Sequence, residues 1–101
     1  MSKRRQHTAI IYDKQGRVLA IGQNSYIKTH PLQAHHAKRV GKEEAVFLHA
    51  EIHAITRCPD LSKAHKIQIF RYRKGKPALS APCPICVDAI KATPIKVIEH
   101  T

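Results

Sequence analysis

Two short clusters about thirty residues apart, His49-Ala50-Glu51 and Pro82-Cys83-Pro84-Ile85-Cys86, constrain this chain more than anything else in it. One imidazole and two thiols are three soft-to-borderline ligands. They can serve a single metal ion only if the fold brings the clusters together. A tetrahedral zinc with three protein ligands keeps its fourth position for water, which is the arrangement of a catalytic rather than a structural site. A glutamate two residues from the histidine can move that water's proton. The pair reads as a zinc hydrolase that activates water, with His49, Cys83 and Cys86 as ligands and Glu51 as general acid/base.

The local spacing makes further demands. Cys83 and Cys86 are three apart and share a face of one helical turn. Pro84 between them suits the first helical position, where its missing N–H costs nothing. Metal and helix N-terminus would each lower the thiol pKa. Redox motifs also use C-x-x-C, but they have no need of His49 or Glu51. On a continuous helix His49 and Glu51 would point about 200° apart. The helix is therefore expected to begin near His49, with residues 43–48 as an approach segment, so that two helix N-termini converge on the metal. The competing ligand pair, His49 with His53, would supply a fourth ligand, close the site and leave Glu51 with nothing to do.

Around these clusters the chain alternates strand and helix signals. Residues 8–12 and 18–22 read as two strands of a hairpin joined by Asp13-Lys14-Gln15-Gly16, where Gly16 suits a positive φ. Residues 25–42 read as a long basic loop with room for a helical turn. Residues 43–58 lack Gly and Pro and are helix-compatible, and Pro59 ends them. Residues 66–72 alternate like a strand, 73–77 form a basic turn, 87–92 continue a helix from the second cluster, and 95–99 are a last strand. The order β-β-α-β-α-β predicts a single α/β domain over residues 1–101, with a mixed sheet of about four strands and helices packed on it.

Composition narrows the setting. No apolar run approaches the ~20 residues of a membrane span, and the basic start, residues 1–7, has no apolar signal region. A cytoplasmic protein is expected, with no membrane partner. Three cysteines, two of them in one motif, fit metal binding better than a disulfide framework. Cys58 reads as a free thiol at a helix end. The formal net charge of +11 draws anions, and phosphate points to a nucleotide or a nucleic acid. Lys28, His30, His35, His36, Lys38 and Arg39 in the loop, and Arg71, Arg73, Lys74 and Lys76 around the turn, are candidate phosphate contacts. Two Phe, three Tyr and no Trp leave little stacking surface, which favours a small substrate over a bound strand.

The H-A-E and P-C-x-x-C pair resembles the signature of the zinc-dependent cytidine/deoxycytidylate deaminase superfamily. The likeness extends to residues 49–55 and 81–90, which resemble the two helices of that family, and to the hairpin-first strand order. The resemblance implies a three-layer cytidine deaminase-like fold. It also implies Zn2+ on His49, Cys83 and Cys86, a proton shuttle at Glu51, and hydrolytic loss of ammonia from a cytosine nucleoside or nucleotide. Ala50, Pro82 and Cys83 would meet the base, the first and last through backbone amides. Asn24 lies at a family position that contacts base or sugar, although an asparagine just after a strand is as readily a turn residue. Histidine as first ligand is closer to the deoxycytidylate and polynucleotide branches than to the free-cytidine branch. The chain departs from the family in ending after the fourth strand, so a partner subunit is expected to complete the fold as a homo-oligomer. Two other readings stay open: a base deaminase acting on RNA or single-stranded DNA, and a non-enzymatic zinc-stabilised nucleic-acid-binding module.

Overall fold

The hairpin forms as its residues dictate. β1 (His7–Tyr12) and β2 (Val18–Gln23) pair antiparallel, with Ala9 opposite Gly22 and Ile11 opposite Ala20. The turn between them is held by Asp13, whose Oδ1 accepts from the main-chain N–H of Gln15 and of Arg17, both at 2.9 Å. Gly16 takes a positive φ of 82°, as its place in the turn requires. The computed structural model describes residues 7–24, 31–41, 49–73, 75–80 and 82–101.

After β2 come α1 (Pro31–Arg39), α2 (Ala50–Arg57), a single 3-10 turn (Leu61–Lys63), β3 (Lys66–Arg73), β4 (Lys76–Pro77), α3 (Pro84–Lys91) and β5 (Val97–His100). β3 is the hub of a mixed five-stranded sheet. It pairs antiparallel with β1 on one side, antiparallel with β4 at its Tyr72–Arg73 end, and parallel with β5. A parallel partner needs a crossover, and α3 supplies it.

Several expectations change. Part of the expected loop is helical: α1 starts with Pro31 at its first position, carries His36, Lys38 and Arg39 in its last turn, and is followed by Gly41 at φ 74°. Each of those is a helix-end signal. The basic turn after β3 contains the two-residue β4, which adds a short fifth strand to the four expected. β5 begins at Val97 rather than 95, because the His65 carbonyl first takes the main-chain N–H groups of Lys96 and Val97. The expected approach segment 43–48, and Lys28, His30 and Lys74 among the candidate phosphate contacts, lie outside the described residues.

One face of the sheet is dry. Ala9, Ile11, Ile67 and Ile69 are fully buried on it and meet Ile52, Ile85, Ile90 and Cys86 from the helices. α2 lies on β1 and β2, and the three helices touch one another. The described helices thus pack together as one layer over this face. Burying an isoleucine contributes about 1.5–3 kcal/mol, whereas an exposed ion pair contributes about 0–1 kcal/mol. The isoleucine core therefore holds α2 and α3 in place. None of the described helices is long and apolar enough to cross a membrane.

Candidate metal centre

Where α2 meets the sheet, the contact is made by the smallest residues available. A Cβ on Gly22 would lie 2.2 Å from the Ala54 nitrogen and 2.5 Å from the Ala50 carbonyl oxygen. Glycine is thus required in β2, and alanines in α2 let the helix sit close. That contact fixes the first turn of α2. The helix starts at Ala50, and His49 is its N-cap in extended conformation (φ −85°, ψ 156°). The helix begins where the spacing of His49 and Glu51 requires. α3 repeats the plan, with Cys83 as an extended N-cap (φ −73°, ψ 168°) and Pro84 opening the helix.

The two N-termini bring three ligand atoms together. His49 Nδ1 lies 3.3 Å from Cys86 Sγ and 3.4 Å from Cys83 Sγ, and the ligand atoms of all three residues fall within 4.8 Å of one another. Zinc bonds of about 2.0–2.1 Å to nitrogen and 2.3 Å to sulfur, set tetrahedrally, put N and S about 3.6 Å apart. The observed separations are close to that edge, so one imidazole and two sulfurs fit a single ion. Among the described residues no other His, Cys, Asp and Glu group could hold a metal ion. The competing ligand His53 is turned away, with Nδ1 at 3.0 Å from both the main-chain N and O of Gln23.

The electrostatics are those of crowded, partly buried groups. The Cys83 thiol is held down to about 4, chiefly by its hydrogen bond with Cys86 and further by His49. Cys86 is pushed the opposite way, by the Cys83 sulfur and by burial. His49 is raised because it hydrogen-bonds to Cys83. Glu51 is buried, with 6% of its surface exposed. Burial raises its carboxyl above the usual range, against the Cys86 hydrogen bond and the His49 charge that lower it. A carboxyl raised in this way sits nearer to neutrality, where a group that both accepts and donates a proton works best.

Of the other sequence candidates, Ala50 opens α2 and is fully buried, and Pro82 is half-buried beside Cys83. Asn24 serves the main chain, where its Oδ1 accepts from the His7 N–H at 2.8 Å and ties the open end of the hairpin. Cys58 is a half-buried free thiol capping the end of α2.

Sequence reasoning missed the support from α1. Gln33 is fully buried and its Oε1 accepts from the His49 main-chain N–H at 3.2 Å. One turn on, buried His36 meets Asp88 of α3 at 2.5 Å, and Arg39 Nε meets the same oxygen at 2.9 Å. α1 thereby grips the ligand cap of one helix and the body of the other. The signal that could have found it is the i, i+3 spacing of polar residues behind a helix-starting proline.

Compared with known proteins, the chain matches no family model and no curated protein. The site stands on its own geometry.

Proposed function

We propose that the protein is a zinc-dependent hydrolytic deaminase that converts a cytosine nucleoside or nucleotide to the uracil product, on a short cytidine deaminase-like fold. The observation that carries this reading is the meeting of His49, Cys83 and Cys86 within 4.8 Å beside a buried Glu51. His49, Cys83 and Cys86 would hold the ion. When bound, zinc supplies Lewis acidity that makes water a nucleophile near neutral pH. Glu51 takes a proton from the attacking water and returns one to the departing amine. In balance, water adds its oxygen at the ring carbon and ammonia leaves. The first-turn N–H groups of α2 and α3 have no partner inside their helices, and they favour developing negative charge at that end. The burial that raises Glu51 also keeps bulk water from competing for its proton.

The test is a panel of nucleobases, nucleosides and nucleotides incubated with zinc-loaded protein, following ammonia and ultraviolet spectra. Turnover of a cytosine compound is expected. Glu51→Gln is expected to lose at least about a hundredfold in rate while keeping its zinc. Full activity in that variant, or no turnover of any compound, overturns the reading.

The net charge of +11 favours a second reading, in which the base sits in RNA or single-stranded DNA. It predicts activity on an oligonucleotide and none on free nucleotides. If Glu51→Gln changes no measurable function and only nucleic-acid binding is found, a non-enzymatic zinc-stabilised module accounts for the protein. Self-association belongs to the first reading. Val18 and Ile21, 54% and 48% exposed on β2, would be part of the contact, and a clean monomer in gel filtration counts against it.

A further inference from the structure

The hairpin turn lies at the end of β2 opposite Gly22. About four residues of strand, or roughly 13 Å, separate it from the contact with Ala50. At that remote end three stretches of chain enclose a cleft of about 510 Å³: the turn, the segment after α2 and the loop before β5. Its walls carry Lys14, Arg17, Lys63, Lys96 and His65, against the single carboxylate of Asp13. That carboxylate is fully engaged: Oδ1 accepts from two main-chain N–H groups and Oδ2 from Arg17 Nε at 2.9 Å. Lys14, Lys63 and Lys96 are exposed and take part in no ion pair among the described residues. Like charges placed this close in a concave surface repel one another, and an anion that enters relieves the repulsion.

We infer that this cleft binds the phosphodiester backbone of a nucleic acid, through its phosphates and without stacking on its bases, at a site separate from the metal centre. The lining selects the ligand class. It contains no Phe, Tyr or Trp and, of apolar residues, only Ala64 and Pro94, so it offers charge for phosphates and no wall for a base. Backbone contacts of this kind bind without reading sequence. A membrane surface is a poorer match, because a flat bilayer reaches few of the cations along a concave wall and the lining has no large apolar side chain to insert. The inference goes beyond the deaminase reading and holds without it, since none of the cleft residues belongs to the metal centre.

Fluorescence anisotropy with a labelled oligonucleotide of about twelve nucleotides, titrated between about 50 and 200 mM salt, tests it. Two charge-matched variants are compared: Lys63→Glu with Lys96→Glu in the cleft, and Arg57→Glu with Lys91→Glu, two exposed cations outside it that are not candidate phosphate contacts. The cleft pair is expected to weaken binding at least tenfold. It should also flatten the salt slope by about 1.4, the value for two lost contacts to a single strand. The outside pair should do neither. Circular dichroism checks that each variant is folded, and Lys63→Gln with Lys96→Gln should give a smaller loss in the same direction. Equal losses from both pairs, loss from the outside pair alone, no binding by the unaltered protein, or equal binding to anionic phospholipid vesicles each overturn the proposal. Glu51→Gln and metal-stripped protein are expected to bind as the unaltered protein does. A failed deaminase assay would therefore leave this result standing, and the reverse.

Discussion

At the His49 end of α2 the polar groups are buried and matched, while at the far end Lys14, Lys63 and Lys96 are exposed and hold no ion pair among the described residues. Near the metal centre Gln33, His36 and Glu51 are all buried, and among the described residues no buried side-chain nitrogen or oxygen lacks a partner. Around the hairpin turn Lys14, Lys63 and Lys96 project into solvent, while Arg17 pairs with Asp13 and Lys66 with Glu99. The difference shows where the fold is fixed. Buried polar groups must be matched or they cost about 1–3 kcal/mol each, so the metal end tolerates one arrangement of side chains. Exposed charges are screened by water and salt, so the far end is free to carry whatever charge its ligand requires.

The largest effect is expected from Gly22→Ala. The new methyl would meet main-chain atoms of Ala50 and Ala54 at 2.5 Å and 2.2 Å, and main chain does not swing aside. Overpacking of this severity should cost about 3 kcal/mol or more, visible as a lowered urea midpoint. At the far end Gly16→Ala has nothing within 4 Å to strike and meets only its positive φ, a strain of about 1–2 kcal/mol. If the two substitutions cost the same, α2 is not pinned to the sheet and the contrast between the ends fails.

His36→Ala comes next. It removes the buried partner of Asp88 and loosens α1 from α3, the helix that carries Cys83 and Cys86. Supports behind metal ligands are worth about 10–100-fold in affinity, and a loss near the lower end is expected in zinc competition with a chelator. His36→Gln, which keeps a side chain able to reach Asp88, should recover part of it. Unchanged zinc affinity in His36→Ala would reduce α1 to a packing element.

These residues also show how far the sequence can be read. The C-x-x-C spacing, the helix start at His49, proline opening α3 and the Gly16 turn are all legible, because each rests on short-range spacing or on the φ preference of one residue. α1 is not, although Pro31, a basic last turn and Gly41 mark its ends. His35, Lys38 and Arg39 raise the apparent polarity of the whole stretch and hide the narrow buried face of Gln33, His36 and Ala37. Gly22 reads only as the end of a strand, since the need for close approach arises from a helix about thirty residues further on. Helices on a single face, and the pairing of β4, depend on tertiary contacts that no local pattern encodes.

A smaller effect separates Asp13 from the cations around it. Its carboxyl is held below the usual range, first by the Arg17 N–H and then by the Arg17 side chain. A folded pKa below the unfolded value of about 3.9 gives stability that is present above that pH and lost as pH falls through the folded value. Urea unfolding at about pH 6 and pH 3, on either side of the unfolded pKa, should show a larger loss for the unaltered protein than for Asp13→Asn. Part of the loss will remain in the variant, because Asp60 and Asp88 are also lowered by hydrogen bonds. Identical losses would mean that the turn does not depend on this carboxylate.

The smallest expected change in stability comes from the cleft itself. Lys63→Glu with Lys96→Glu replaces two exposed cations that hold no ion pair among the described residues, so the unfolding free energy should move by less than about 0.5 kcal/mol at moderate salt. Its sign is informative. At low ionic strength the Debye length exceeds the ~10 Å found at 0.1 M, and Lys14, Arg17, Lys63 and Lys96 should repel one another across the cleft. Salt should therefore raise the melting temperature of the unaltered protein more than that of the variant, with the two converging as screening improves. A variant that is clearly less stable in both low and high salt would show these lysines holding the fold together. The far end would then have to be counted, with the metal end, as part of the fixed structure.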